Sequence, residues 1–284
     1  MQELPEVDIY RAMLAERYAG AQVTAMHIHK ELRESDGGHD VSQDVVGQSI
    51  WFVERRAQHL VFHLDNGKRF LIHMSDGVTA YCGLAADSAQ PSEPALSLDF
   101  QERRLSFFGL RAGDLSIMSV KGLEGYMKTF GLDPLDKRVT PSRLKERFAK
   151  KRSSLKTALM DEKLMTGIGN VYSDEIAFEA RIRPETKVAV LGESEWERLH
   201  AAIVHVLREA ISHGGIGESP LFEGDILTGG YRERLQVYNR AGEACHRCGG
   251  SIQRIAVGSR KAFACDGCQN DSSSIGADEE SLPQ

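Results

Sequence analysis

Four cysteines near the C-terminus constrain the fold of this chain more than any other feature of its sequence. They form two Cys-x-x-Cys pairs, Cys245 with Cys248 and Cys265 with Cys268, and sixteen residues separate the pairs. With this spacing, each pair can turn two sulfurs toward one zinc ion while the intervening residues form a hairpin. No export signal is evident, so disulfide bonds are not expected. We therefore predict one structural Zn²⁺, which stabilises a segment of about 40 residues that is too short for a core of its own.

The predicted hairpin carries three basic residues, Arg254, Arg260 and Lys261. An arginine at the tip of a hairpin held by a metal ion is suited to contact a phosphate or a base, because its guanidinium presents several N–H donors in one plane. A solvated arginine on the surface is the alternative interpretation. The hairpin is therefore a candidate nucleic-acid contact.

A glycine motif, Gly167-Ile168-Gly169-Asn170, lies between two stretches of helical character. Glycine lets the backbone approach a phosphate closely, and the start of the following helix carries the positive end of the helix dipole. The amide of Asn170 can donate a hydrogen bond to the same phosphate oxygen. An ordinary helical hairpin is the alternative when the motif is considered by itself.

Short runs with the two-residue period of β-strands extend from about residue 22 to about residue 118. The sequence Asp65-Asn66-Gly67 between two such runs is typical of a β-hairpin turn. We predict about six to eight antiparallel strands, arranged as a sandwich or a barrel. A helix precedes them, because Pro5 suits a helix start and apolar residues then recur on one face. Cys82 lies in one of the runs, where we expect it to be buried.

The region after residue 120 is predicted to be mainly helical. Thr140-Pro141 is a helix start, and residues 194–213 have the apolar spacing of an amphipathic helix. The glycine-rich residues 216–232 contain few large apolar side chains, so we expect a mobile loop there. Residues 270–284 are rich in serine and acidic side chains, which predicts disorder.

The formal net charge of −6 argues against nucleic-acid binding over the whole surface. The charge is unevenly distributed, since residues 137–163 contain ten basic and three acidic side chains. Such a local basic face suits phosphate binding, although a solvated charged helix explains the same run. No apolar run of 18 residues is present, and Glu3 and Glu6 lie where a signal peptide would be basic. We therefore expect a soluble cytoplasmic protein with no signal peptide and no transmembrane segment.

Several short segments follow one another in an order that chance does not explain. They are Glu3-Leu4-Pro5-Glu6-Val7, Val53-Glu54-Arg55-Arg56, Leu132-Asp133-Pro134-Leu135, Leu159-Met160-Asp161, residues 167–175, residues 237–243, and the four cysteines followed by Gln269. With these segments, the chain resembles the formamidopyrimidine-DNA glycosylase and endonuclease VIII (Fpg/Nei) family over about residues 1–269.

The resemblance implies an α+β multidomain fold, with an N-terminal β-sandwich and flanking helices, then a helical helix-two-turn-helix domain with a C-terminal zinc-finger β-hairpin. Double-stranded DNA with damaged bases or abasic sites would lie in the cleft between the two parts, with the damaged base flipped out. We expect a monomer associated with the nucleoid. The implied domains are residues 1–120 (β-sandwich of catalytic type), 121–230 (helix-two-turn-helix), 231–270 (zinc finger) and 271–284 (disordered acidic tail).

The resemblance also implies roles for individual residues. Asn170 and Arg260 would hold the phosphates that flank the extruded nucleotide, and Lys156 would make a further backbone contact. In the family, an N-terminal proline amine attacks the sugar, the neighbouring glutamate transfers protons, and elimination then cuts the strand. Glu3 corresponds to that glutamate, and Glu6 lies with it at the start of the first helix. A terminal amine with a pKa near about 8 is a good nucleophile at neutral pH.

Three features depart from the family pattern. Residue 2 is Gln2 rather than proline, so Met1 is expected to remain and to carry the free amine. Gln58 stands where relatives carry a lysine that assists the lyase step. The segments that fill the gap left by a flipped base are also altered, and we expect Met74 and Arg111 to fill part of that gap.

Two hypotheses about function follow. In the first, the protein is a DNA glycosylase with a weakened or altered AP lyase step, in which the Met1 amine or a water activated by Glu3 attacks the sugar. Its catalytic site comprises Met1, Gln2, Glu3 and Glu6. In the second, the protein binds damaged or distorted DNA without catalysis, because Gln2 and Gln58 both replace reactive residues. The retained acid beside the N-terminus favours the first hypothesis.

Overall fold

A computed structural model describes residues 2–29, 32, 41–85 and 93–269. Met1, which was predicted to carry the reactive amine, and the acidic tail 271–284 lie outside the described residues. The contact pattern divides the chain into two compact units. The first unit comprises Met1–Thr129 and Ala210–Arg232, and the second comprises Phe130–Glu209 and Glu233–Gln284.

The first unit is built on two antiparallel sheets of four strands each. The strands are β1 Ala25–Ile28, β2 Ile50–Arg56, β3 His59–Leu64, β4 Lys68–His73, β5 Thr79–Leu84, β6 Leu96–Phe100, β7 Arg103–Phe108 and β8 Leu115–Ser119. One sheet has the order β1-β6-β7-β5, and the other has the order β2-β3-β4-β8. Within the part of the chain that the structure describes, these eight strands confirm the predicted N-terminal β-sandwich.

Both sheets share one apolar core with helix α1, Leu4–Tyr18. Tyr10 and Leu14 of the helix, Phe62 of β3 and Leu98 of β6 are all buried in this core. Every residue of β3 is buried, so this strand lies in the middle of the packed layers. Two further helices of this unit are α2, Ser42–Val45, and α3, Val120–Met127.

The turn between β3 and β4 forms where the sequence predicted a hairpin. Gly67 has a φ of +81°, a value that other residues rarely adopt. The Asn66 side-chain oxygen accepts a hydrogen bond from the backbone N–H of Lys68 at 3.0 Å. The two residues therefore close the turn for the reasons that favoured it in the sequence.

The second unit contains most of the helices predicted after residue 120. They are α4 Pro141–Phe148, α5 Leu155–Leu159, α6 Asn170–Glu179 and most of α7 Glu193–Ser212, followed by the hairpin strands β9 Ile252–Val257 and β10 Arg260–Cys265. Helix α4 begins after Thr140, whose hydroxyl accepts a hydrogen bond from the Arg143 N–H at 3.3 Å. None of the described helices is both long enough and apolar enough to cross a membrane.

The segment Ala210–Arg232 belongs to the first unit, whereas the sequence placed most of it with residues 121–230. The backbone N–H of Cys82 in β5 donates a hydrogen bond to the Leu221 carbonyl at 2.6 Å, and Leu221 is fully buried in the sandwich core. The segment therefore joins the sandwich through a backbone contact to β5 and through apolar side chains, since Phe222 also packs against this core. The carboxylate of Asp225 accepts hydrogen bonds from Leu221 and Thr228, which orders the loop between them.

We predict that acid destabilises the first unit through His59. This side chain is 3% exposed and stacks on His73 with 4.6 Å between ring centroids. Burial, reinforced by the charge of His73, lowers the pKa of His59 from 6.5 to about 4. The folded state therefore binds fewer protons than the unfolded state between these pH values, and stability present above pH 6.5 is lost as the pH falls toward 4. The free energy of unfolding should decrease by up to about 3 kcal/mol from this residue.

Urea unfolding at several pH values between 7.5 and 4.5 measures this effect. The His59→Gln variant should lose a large part of the acid sensitivity, because glutamine does not titrate. The control is His205→Gln, an exposed histidine on α7, and the acid sensitivity of His59→Gln is compared with that of this variant. Equal pH dependence in His59→Gln and the unaltered protein would contradict the assignment.

Candidate zinc, phosphate and N-terminal sites

The four predicted zinc ligands lie together at the end of the β9–β10 hairpin opposite its turn. Their sulfur atoms all lie within 4.8 Å of one another. The Sγ atoms of Cys245 and Cys268 are 3.8 Å apart, and those of Cys248 and Cys265 are 3.4 Å apart. Tetrahedral zinc with Zn–S bonds of about 2.3 Å requires sulfur–sulfur separations of about 3.8 Å. The geometry therefore fits one structural Zn²⁺.

The backbone around the sulfurs also fits a metal site. A Cβ at Gly267 would lie 3.1 Å from the Cys248 sulfur, so glycine leaves room for the thiolate. Gly249 has a φ of +76°, and its N–H donates a hydrogen bond to the Cys245 carbonyl at 2.9 Å. Both turns thus direct sulfur pairs inward, as the sequence predicted.

Gln269 fixes the second cysteine pair to the helical part of the unit. Its side-chain oxygen accepts a hydrogen bond from the Cys265 N–H at 2.8 Å. Its amide nitrogen donates a hydrogen bond to the Ile182 carbonyl at 2.9 Å.

Arg260 begins β10 at the other end of the hairpin, beside Gly258, and its side chain is exposed. The predicted phosphate contact is therefore placed at the tip.

The glycine motif leads directly into helix α6. Gly167 has a φ of +75°, and its N–H donates a hydrogen bond to the Glu162 carboxylate at 3.0 Å. Gly169 is the N-cap of α6, so Asn170 is the first residue of the helix, where its side chain is half-buried. The turn thus holds Asn170 at a helix N-terminus, which is the position that favours an anion.

The environment of Lys156 differs from the one that the sequence predicted. Its side chain is fully buried, so in this structure it offers no ammonium group to a DNA phosphate. Its Nζ lies 2.8 Å from Asp174 Oδ1, and it donates a hydrogen bond to the Asn170 carbonyl at 3.0 Å. The predicted direct backbone contact is therefore corrected to an indirect role, because Lys156 supports the turn that carries Asn170.

Asp174 extends this contact to the zinc hairpin. Its second carboxylate oxygen accepts a hydrogen bond from the Phe263 N–H in β10 at 3.2 Å. Burial raises the pKa of Asp174 above its ordinary value, and the neighbouring Lys156 ammonium opposes this effect. The ion pair Lys156–Asp174 thus joins helix α5, the Asn170 turn and the hairpin inside the second unit.

The sequence reasoning did not assign a role to Glu175, which is also buried. Its carboxylate accepts hydrogen bonds from three consecutive backbone N–H groups, those of Gln236 at 2.8 Å, Val237 at 2.9 Å and Tyr238 at 2.8 Å. The carboxylate therefore anchors the segment that leads into the zinc finger. The sequence signal for this role is the acidic pair Asp174-Glu175 among the apolar residues of the helix, and such a pair is easily assigned to a solvated face.

The predicted catalytic residues of the first unit lie around the start of α1. Gln2 is 7% exposed, Glu3 is 0% exposed and Glu6 is 3% exposed. The Glu6 carboxylate accepts hydrogen bonds from the Glu3 N–H at 3.0 Å and from the Ile216 N–H at 2.9 Å. A Cβ at Gly215 would lie 2.4 Å from a Glu6 oxygen, so this close approach requires glycine. Glu6 thus holds the start of α1 against the 214–216 turn.

Two of the departures from the family pattern lie in direct contact. Gln58 follows Ala57, which has a φ of +51° in the turn between β2 and β3. The Gln58 amide donates a hydrogen bond to the Gln2 carbonyl at 3.2 Å. The Gln2 amide in turn lies 3.5 Å from the Tyr10 hydroxyl, and burial raises the pKa of Tyr10 to about 12, so this partner is neutral. Two neutral amides are therefore in contact beside the buried carboxylates of Glu3 and Glu6.

The two segments predicted to fill the gap of a flipped base lie side by side. Asp114 joins them, since its carboxylate accepts hydrogen bonds from the Ser75 hydroxyl at 3.1 Å and the Arg111 N–H at 2.8 Å. Arg111 is exposed, and its guanidinium donates a hydrogen bond to the Asp76 carbonyl at 3.4 Å. Met74 is fully buried in the sandwich core, where its side chain packs against other apolar residues. The prediction that Met74 fills part of the gap is therefore corrected.

Three family models match the chain. The formamidopyrimidine-DNA glycosylase N-terminal domain matches residues 1–113, and the formamidopyrimidine-DNA glycosylase H2TH domain matches residues 130–220. The zinc finger found in FPG and IleRS matches residues 242–270. The three matches cover both units and the four-cysteine site.

Full-length relatives match almost the whole chain. The chain is 34% identical to formamidopyrimidine-DNA glycosylase of Chloroflexus aurantiacus, covering 95% of this chain and 98% of the relative. It is 32% identical to formamidopyrimidine-DNA glycosylase of Thermomicrobium roseum, covering 95% and 99%. Among solved structures, Lactococcus lactis Fpg in complex with abasic-site DNA has a TM-score of 0.86 and 27% identity, covering 95% of this chain and 100% of that one. The Lactococcus lactis enzyme with DNA containing Fapy-dG has a TM-score of 0.84 and 28% identity over the same shares.

Proposed function

Because the chain belongs to the formamidopyrimidine-DNA glycosylase family, a family of DNA N-glycosylases with AP lyase activity, we propose that it binds damaged duplex DNA, extrudes the lesion and releases the base with a weakened or altered lyase step. The observation that carries this proposal is the position of Glu3. Its side chain is fully buried beside Gln2 at the start of α1. A carboxylate held there can transfer a proton as the sugar is attacked.

The altered lyase step rests on the amides around the N-terminus. The side-chain amide of Gln2 is a poor nucleophile, because its nitrogen lone pair is delocalised. Gln58 supplies a neutral amide that is already hydrogen-bonded to the Gln2 carbonyl, where relatives would supply an ammonium group. The attacking group is then the Met1 amine or a water molecule that Glu3 activates.

DNA binding in this proposal uses residues of both units. Asn170 and Arg260 would bind the phosphates that flank the lesion, the first at a helix N-terminus and the second at a hairpin tip. Arg111 is the exposed residue beside Asp76 and would fill part of the gap left by the extruded base. Glu6 would hold the N-terminal residues in place through Ile216.

A second candidate function is lesion binding without catalysis. The contact between Gln58 and Gln2 favours it, since two neutral amides replace the proline amine and the lysine of relatives in one location. The same residues would then serve recognition of distorted DNA. Base release separates the two functions.

We expect the purified protein to release a damaged base from duplex DNA and Glu3→Gln to lower the single-turnover rate roughly 10²- to 10⁴-fold, the usual range for a general acid or base. Lesions would include an oxidised purine, an oxidised pyrimidine and an abasic site. The exposed Glu16→Gln change on the same helix is the matched control and should leave the rate unaltered. Tight duplex binding with no base release and no strand cleavage would leave only the non-catalytic function.

The nucleophile can be identified by borohydride trapping. Reduction should yield a covalent adduct if the Met1 amine attacks and none if water attacks. The Gln2→Pro variant should increase trapping, because removal of Met1 would then expose a secondary amine. Gln2→Ala, which exposes only a primary amine, serves as its control, and intact mass shows whether Met1 is retained in each protein.

A further inference from the structure

The second unit carries a basic pocket that none of the roles above uses. Its volume is about 640 Å³, and five cationic side chains line it, Arg143, Arg147, Lys150, Lys151 and Lys163. Glu146 is the carboxylate in the lining, so the pocket carries a net charge of +4. Leu132 and Leu164 supply its apolar part. A cavity of this charge is suited to an anion with several negative groups.

Helix α4 displays these cations because of how it packs. Leu144 and Phe148 are fully buried, four residues apart on one face of the helix. The exposed Arg143 and Arg147 therefore lie together on another face, and Lys150 follows them beyond the helix end. The fold thus directs one row of cations into the pocket.

Neighbouring acids offset only part of the positive charge of the pocket, since Arg143 is near enough to Asp136 to help lower the pKa of that carboxyl. Arg147 donates a hydrogen bond to the Lys163 carbonyl at 2.7 Å, so its anchor is a backbone oxygen. The carboxylates of Asp161 and Glu162 accept hydrogen bonds from the backbone N–H groups of Lys163 at 2.9 Å and Gly167 at 3.0 Å. Among the described residues, no carboxylate other than that of Glu193, which pairs with Lys145 outside the pocket, is drawn toward this end of α4, and none lies within ion-pair distance of the five cations, so their nitrogen atoms can contact a ligand.

Helix stability does not explain this arrangement. Cations at the C-terminal end of a helix are favourable by about 0.3–1 kcal/mol, which accounts for Arg147 and Lys150. Arg143 lies in the first turn of α4, where the helix dipole disfavours a positive charge. Lys163 comes from a different segment altogether. A shared ligand accounts for all of them.

The pocket is continuous with the backbone that carries Asn170. Leu132 donates a hydrogen bond to the Leu164 carbonyl at 2.9 Å and accepts one from Thr166 at the same distance. Leu164 lines the pocket, and Gly167 and Asn170 follow it within six residues along the chain. The pocket and the Asn170 turn therefore share one continuous stretch of backbone within the second unit.

We propose that the basic pocket is a second phosphate-binding surface, which binds the sugar–phosphate backbone of duplex DNA outside the lesion. The pocket adds affinity without sequence preference, because lysine and arginine contacts to phosphate release counterions and read no bases. The choice of DNA as the polyanion rests on the proposed function, whereas the pocket itself takes part in no catalytic step.

A triple variant Arg143→Gln, Lys150→Gln and Lys151→Gln tests this proposal and retains the hydrogen bond of Arg147. Binding of an undamaged duplex would be measured by fluorescence anisotropy over a series of salt concentrations. The slope of log affinity against log salt should become shallower by about 2 to 3, and affinity near 0.1 M salt should fall roughly 10- to 100-fold. Base release under saturating protein at low salt should be unchanged.

The matched control is Lys128→Gln, Lys187→Gln and Arg208→Gln, three exposed cations outside the pocket. This variant loses the same three positive charges as the pocket variant but keeps the pocket intact. Its slope should therefore remain as steep as that of the unaltered protein. If the two triple variants have the same slope, or if the pocket variant loses binding to RNA or to an acidic peptide but not to duplex DNA, the proposal is overturned. Lys151→Gln alone, at a position beyond the helix, should reduce the slope by about 1 and covers the case in which the triple variant is unfolded. An unaltered protein that shows the steep slope but releases no base would refute the glycosylase function and leave the pocket assignment intact.

Discussion

Loss of the zinc ligand Cys268 should unfold the β9–β10 hairpin and lower affinity for lesion-containing duplex by roughly 100-fold or more. Binding of structural zinc contributes apparent free energies of about 10–16 kcal/mol to such small segments, so the hairpin has no comparable source of stability without it. Arg260 is displayed at the hairpin tip, and Phe263 connects the hairpin to Asp174. Unfolding therefore removes the phosphate contact proposed for Arg260 and releases the support of the one proposed for Asn170.

The Cys268→Ser variant should contain less than one zinc ion per chain by metal analysis, and its residues 245–268 should become susceptible to limited proteolysis. The control is Cys82→Ser in β5, which lies in the first unit and outside the sulfur cluster. That variant should keep its zinc and its DNA affinity. Full affinity in a zinc-free protein would show that the hairpin is dispensable for binding.

The second large effect should come from Lys156→Met, which should lower the free energy of unfolding by about 3–5 kcal/mol at pH 8. The change leaves the carboxylate of Asp174 buried, with no cation beside it. It also removes the hydrogen bond to the Asn170 carbonyl, so DNA affinity should fall even at temperatures where the variant is folded. Urea unfolding and duplex binding together measure both consequences.

The pH dependence of this variant gives a further test. Without the ammonium group, burial raises the pKa of Asp174 further above its unfolded value. The folded variant then binds more protons than the unfolded variant, so its stability falls as the pH rises through the folded pKa. The defect should therefore be smaller at pH 5 than at pH 8.

The double variant Lys156→Met with Asp174→Leu is the matched control, because it replaces the whole ion pair by apolar side chains. It should recover a large part of the lost stability but not the lost DNA affinity. Equal stability of the single and double variants at pH 8 would contradict the buried ion pair as the cause.

Short stretches of the sequence are sufficient to predict part of this architecture. The Cys-x-x-Cys pairs, the Asn66-Gly67 turn and the Gly167–Asn170 motif each act within a few residues, so local spacing predicts them. Strand patterns between residues 22 and 118 similarly predict antiparallel strands in a sandwich or a barrel, since alternation indicates which face is buried. The segments shared with the glycosylase family supplied the domain order.

Contacts between distant residues decided the remainder. The family resemblance assigned a DNA backbone contact to Lys156, and only the packing of α5 against α6 and β10 makes it a buried partner of Asp174. The same resemblance predicted that Met74 fills part of the gap left by a flipped base, and only the shared core of the two sheets buries it.

The N-terminal site shows the same division. The sequence by itself determined that Gln2 and Gln58 replace reactive residues, because their identity is visible without a fold. Only the tertiary structure brought the Gln58 amide within 3.2 Å of the Gln2 backbone carbonyl and closed Glu6 on Ile216, 210 positions away along the chain. The physical reason is that a periodic pattern fixes which face of an element is buried, whereas the partner across that face depends on how separate elements dock.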